Sequence, residues 1–302
     1  MTTIFEPAGS SPPNPFSAIL APFHTSATNP NPDLSPSTLT PLAANLTNAV
    51  TTSRNPASAL WQLWDAIFIP CAKSPASHTP TLALLRAIRA QPPSLPDPQR
   101  TEAGTDAANE LSSHTDAEGK LVWAKLPRFG WSWRDFHDIL EANREWKHRG
   151  EGRYFTNFVE FSARFLQEVG AKGEIGPIFV FYACAGTLEQ GNPPKPKEGK
   201  GNERKFSEWE VWEMDVKAVG LWVKYGGEVL WGVDREELRR GSEAVLEAER
   251  ELWPRRDGLV RERWVLWAER LRGLGREEGL GEETRGVVNE AAEVVEGLLA
   301  RV

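Results

Sequence analysis

Thirteen tryptophans occupy this chain of 302 residues, and their spacing limits what it can fold into. Three pairs read Trp-x-x-Trp: Trp61/Trp64, Trp209/Trp212 and Trp264/Trp267. A separation of three puts both rings on one face of an α-helix. A fourth pair, Trp131/Trp133, straddles an expected helix start. Apolar residues around the pairs recur at the helical period. Leu60, Leu63, Trp64, Ile67 and Cys71 make one stripe, Trp209, Trp212, Val216, Val219 and Val223 a second, and Val260, Trp264, Trp267 and Leu271 a third.

Helix ends follow from local chemistry. Asn55-Pro56 opens a helix with a good cap and a proline in the first turn, and Pro70 is expected to end or kink it. Thr79-Pro80 opens the next. Ser132 to Asp135 resembles a capping arrangement for a helix running to about His148, and Thr156 is expected to cap the one after it. Ser207 and Glu210 have capping-box spacing, and Asp234 is a cap. Gly226-Gly227 is expected to break the helix it falls in. The apolar run Ile175 to Leu188 fits a buried strand or a buried helix by periodicity alone; its helical neighbours favour a central buried helix. A last helix carries Val287, Ala291, Val294 and Leu298.

The expected fold is therefore all-α, an irregular orthogonal array of about nine or ten helices. Residues 1–36 carry prolines at 7, 12, 13, 15, 22, 30, 32 and 36 and are read as a disordered arm. Residues 37–302 are read as a single helical domain, interrupted by flexible loops at 92–120, which opens on four prolines, and at 190–205, which is rich in Gly, Pro and Lys.

Charge and cysteine content exclude several function classes. Net charge is −7, and residues 201–302 hold 23 acidic against 17 basic side chains. An acidic surface repels phosphate backbones, so no nucleic-acid partner is expected. Two distant cysteines, Cys71 and Cys184, make neither a disulfide framework nor a cysteine zinc site. No basic stretch precedes an apolar run at the N-terminus, and no apolar run approaches the ~20 residues of a bilayer span. A soluble cytoplasmic or nuclear protein without a membrane partner is expected.

Motifs for catalysis are missing: the chain has no HExxH, GxSxG, P-loop or GxGxxG after a strand. His137 and His148, three helical turns apart, stand too far from one another to share a metal, and His137/Glu141 at i, i+4 reads as a surface pair. No cofactor, metal or catalytic residue is expected. Most tryptophans read as core. Trp123, Trp131 and Trp133, at the exit of the long linker, are the candidates to line a binding site, with His137 beside them. The function expected is a non-enzymatic module that binds a protein or a small apolar ligand in a Trp/Phe-lined groove. Two alternatives stand beside it: a small-molecule enzyme with a pocket at Trp131, Trp133, Asp135, His137 and Asp138, and a structural homo-oligomer through the 256–301 helices.

The run Ala59-Leu60-Trp61-Gln62-Leu63-Trp64-Asp65, the Phe158–Phe165 segment, and Ala218-x-x-Leu221-Trp222-x-x-x-Gly226 followed by Leu230-Trp231-Gly232 resemble an uncharacterised family of fungal proteins known only as a domain of unknown function. The resemblance covers roughly residues 40–235. It implies a helical fold and a fungal source, and carries over no activity and no catalytic residue.

Overall fold

Caps form where the sequence places them. Asn55 Oδ1 accepts the Ser58 N–H at 2.9 Å, with Pro56 next in the first turn. Ser207 and Glu210 close a reciprocal capping box. Asp234 accepts from the amides of Glu236 and Glu237. Each satisfies donors that a helix start leaves unpaired. The computed structural model describes residues 4–5, 14–27, 32–97, 111–150, 152–191, 194, 204–256 and 258–301. Among the described residues the chain is all-α, with isolated β-bridges and no strand. It divides into two compact units, residues 1–141 and 142–302.

In the first unit α1 (Pro15–Ala27) packs on α3 (Pro56–Lys73), and α2 (Pro36–Thr51) packs on α3 and α4 (His78–Arg89). The next helix, α5 (Phe129–Asn143), sets Phe129 edge-on against Trp64 and Phe68 of α3, with ring centroids 5.2 and 5.1 Å apart. Such edge-to-face pairs add to the stabilisation from burying the rings themselves.

Helix α1 corrects the expectation of a disordered arm over residues 15–27. Phe16, Leu20 and Phe23 stand at i, i+4 and i+7 and are buried. Asn14 Oδ1 accepts the Phe16 N–H at 2.9 Å, and Pro15 sits in the first turn, where a missing N–H costs little. The expectations for residues 1–3, 6–13 and 28–31 lie outside the described residues. Pro70 does not end α3, which runs on to Lys73. Having no N–H, Pro70 cannot bond the carbonyl of Ala66, and the helix continues past that gap. Helix α5 starts at Phe129, so Ser132 lies buried within it rather than capping it, and it stops at Asn143, short of His148. The described ends of the 92–120 loop are knitted together: Ser94 and Leu121 exchange backbone hydrogen bonds, and Trp123 Nε1 donates to Ser94 Oγ at 2.7 Å. Residues 98–110 of that loop are outside the described set.

In the second unit α8 (Glu208–Trp231) packs on α6 (Arg153–Val169), α7 (Ile178–Thr187) and α11 (Glu282–Leu299). Helix α9 (Arg235–Leu246) follows α8, and α10 (Arg261–Gly275) packs on α11. The ambiguous apolar run is the helix α7, with Val180, Phe181 and Cys184 buried and Tyr182 exposed. Thr156 lies inside the first turn of α6, its hydroxyl on the Arg153 carbonyl, and not at the cap. Gly226-Gly227 does not break α8, which continues to Trp231. A Cβ on Gly226 would stand 2.7 Å from Val180 and 3.0 Å from Leu166. The glycine is there for close helix approach to α7 and α6, not for a turn. On α11 the buried stripe is Thr284, Val288, Ala291, Val295 and Leu298, one residue on from the expected Val287 and Val294. The apolar stripes of α10 and α11 are thus buried within this unit. In the 190–205 loop, Lys205 pairs with Trp146 in an isolated bridge, and residues 192–193 and 195–203 are outside the described set.

Candidate functional site

The chain reaches α5 through a turn that is costly for its residue types. Leu126 and Arg128, neither of them glycine, have φ of 41° and 61°. A side chain in the left-handed region costs roughly 1–2 kcal/mol, and such outliers gather where geometry matters to function. Contacts from three directions hold the turn. Trp64 Nε1 donates to the Pro127 carbonyl at 2.8 Å. His114 Nε2 accepts the Arg128 N–H at 3.3 Å. Burial, then the positive charges of Arg128 and Lys125, push the His114 ring below its ordinary pKa, which keeps it a neutral acceptor. The Arg128 guanidinium lies over two indoles, 5.6 Å from the Trp61 ring and 5.5 Å from the Trp131 ring. Arg128 is 7% exposed and Trp131 59%, the most exposed large hydrophobic among the described residues.

Of the four residues expected at a site, three are buried and one is exposed. Trp123 is buried in a 3₁₀ turn with its N–H on Ser94. Trp133 is buried on the inner face of α5. Only Trp131 presents its ring to solvent. Two residues on a helix are rotated by about 200°, so Trp131 and Trp133 look in opposite directions. His137 is buried, with its ring centroid 5.3 Å from that of Trp133. Its Nδ1 lies 3.5 Å from Asp138 Oδ1 and 4.0 Å from Glu141 Oε2, while both carboxylates are exposed. The hydrogen bond to the His137 ring, helped by the charge of Arg134, holds the Asp138 carboxyl below its ordinary pKa. Asp135 is exposed on the same helix. On α3, burial raises the Asp65 carboxyl to about 6.

Sequence reasoning missed the most concentrated polar chemistry, which lies in the second unit. Arg263 of α10 and Glu189 are both fully buried. Arg263 donates Nε to Glu189 Oε1 at 2.6 Å and an Nη2 proton to Oε2 at 2.8 Å; its Nη1 donates to the carbonyls of Leu246 and Gly258. Trp267 Nε1 donates to Glu189 Oε1 at 2.8 Å, and the guanidinium lies 4.6 Å from the Phe181 ring centroid. A signal was available: Arg263 sits at i+3 between Val260 and the Trp264–Trp267 pair, inside the apolar stripe. With its groups paired and closed to solvent, this network ties α10 to the end of α7 and the loop before α10. Burial also pushes the Cys71 thiol up to about 12 and the Cys184 thiol well above its ordinary value, so neither is a reactive thiolate.

No helix among the described residues is long and apolar enough to cross a membrane. No curated protein and no solved structure matches the chain. A family model described as "Protein of unknown function (DUF3632)" matches residues 64–271. That span starts later than the resembling motifs suggest and ends within α10, taking in Arg128, Trp131, Glu189 and Arg263. With the match covering about two thirds of its length, the chain belongs to the DUF3632 family of proteins of unknown function.

Proposed function

We propose that this chain is a non-enzymatic binding module that holds a protein partner against the outer face of Trp131. The observation that supports the reading is the stack of Trp61, Arg128 and Trp131, in which a nearly buried guanidinium backs an indole that faces water. An exposed indole on a rigid backing suits a proline or aliphatic side chain of a partner, and Trp and Arg are enriched among residues that dominate interface energetics. The strained turn beneath the stack is consistent with a position kept for binding rather than for packing. Trp123, Trp133 and His137 then act from behind, by fixing α5 and the segment that leads into it.

The test uses the full chain and its Trp131→Ala variant, immobilised side by side in lysate of the cells that make the protein, with captured proteins quantified. The reading expects at least one partner whose capture falls about tenfold or more, a loss near 1.4 kcal/mol, while the melting temperature is unchanged. The same proteins at the same yield on both baits would refute it.

A further inference from the structure

We propose that His137, Asp138 and Glu141, on the last turns of α5, bind a first-row divalent cation of the Zn²⁺ class. Their ligand atoms all lie within 4.8 Å of one another. His137 and Glu141 are i and i+4, hence on one helix face, and Asp138 reaches back to the imidazole from the next position. Three ligand atoms on metal bonds of about 2.1 Å, spread at tetrahedral angles, stand roughly 3.4 Å apart. The 3.5 Å from His137 Nδ1 to Asp138 Oδ1 already has that length. The 4.0 Å to Glu141 Oε2 closes with a small rotation of an exposed side chain.

The donor set selects the metal. An imidazole with two carboxylates suits Zn²⁺, Co²⁺ or Ni²⁺, whereas Ca²⁺ and Mg²⁺ take oxygen ligands throughout. The histidine is the rigid member: it is buried and its ring rests on Trp133, so its ligand nitrogen is held in place before a cation arrives. The carboxylates are the adaptable members, exposed so that water or a second ligand completes the coordination. This inference does not depend on what Trp131 binds.

The full chain, stripped of metal with a chelator and dialysed, is titrated with Zn²⁺ alone by calorimetry and with Co²⁺ alone by visible absorption. One saturable equivalent is expected, with Co²⁺ bands of a low-symmetry site that Zn²⁺ displaces. Glu141→Gln and Asp138→Asn, at exposed positions, should each weaken binding about tenfold or more while leaving the helical circular dichroism unchanged. His137→Ala should abolish the saturable phase. A chain that takes up no stoichiometric metal overturns the proposal. So does one whose uptake is the same in Glu141→Gln and Asp138→Asn, and these two variants decide the matter even where His137→Ala does not fold.

Discussion

Replacing Arg263 by methionine should be among the most damaging single changes in residues 142–302, although no surface would change. Methionine keeps most of the aliphatic stem and removes the guanidinium. Glu189, fully buried, then loses both charged donors and keeps the Trp267 N–H at 2.8 Å, while the carbonyls of Leu246 and Gly258 lose theirs. Breaking a buried ion pair from one side typically costs ~3–5 kcal/mol, because the surviving charge stays buried without its counter-charge. Glu189→Leu should cost a similar ~3–5 kcal/mol by stranding the guanidinium. If the two side chains acted independently, the double variant would lose roughly 6–10 kcal/mol. It should lose only about 3, since no charge remains and three neutral groups, the Trp267 N–H and two carbonyls, each give up about 1 kcal/mol. Urea unfolding followed by tryptophan fluorescence measures these differences. Hydrogen exchange of the α10 amides assigns them to the second unit, because two compact units need not unfold together. An Arg263→Met cost under about 1 kcal/mol, or single costs that simply add in the double variant, would refute the reasoning.

Two other predictions concern a pair of helix glycines and a half-buried carboxyl. Gly226→Ala should lower stability by ~1–3 kcal/mol despite the better helix propensity of alanine, because the new Cβ meets Val180 at 2.7 Å and Leu166 at 3.0 Å. Gly286→Ala, in α11 with nothing within 4 Å of its Cβ, should instead raise the melting temperature; equal effects at the two sites would dismiss the close-approach argument. Asp65→Asn tests the raised carboxyl. A folded-state pKa of about 6 against the ordinary 3.8 means that the protonated side chain is the one the fold accepts. That stability is fully present below pH 3.8 and lost as pH rises through 6. The asparagine variant should therefore gain on the order of 1–3 kcal/mol over the native chain at pH 8 and nothing at pH 3.5, and parallel pH profiles of the urea midpoint would exclude the cause given.

What was legible in the sequence is what is local. Asn55, Ser207 and Asp234 cap because a side-chain oxygen reaches an amide two or three residues away, and that reach is written in the spacing. The stripes of α3, α8 and α10 follow from period alone. The failures lie where a distant partner decides. Glycines at 226 and 227 read as a breaker locally, yet the approach of α6 and α7 gives them another use. Proline density over residues 1–36 hid the three apolar side chains that dock α1 on α3. Glu189 and Arg263 lie 74 positions apart, and nothing near either names the other.

The candidate site was half legible for the same reason. Trp131 and Trp133 read as neighbours when the helix is taken to begin at Ser132, since Trp131 then belongs to the preceding segment. Once Phe129 begins the helix, about 100° per residue forces one ring inward and one outward. Phe129 is the start because the turn before it is closed by tertiary partners, Trp64 on the Pro127 carbonyl and His114 on the Arg128 amide. A left-handed turn made with glycine would have been visible in the sequence; one made with leucine and arginine is not. The partners that make the strained turn affordable are therefore the ones that choose which tryptophan faces water. A binding role for Trp131 depends on Trp64 and His114 as much as on the indole itself.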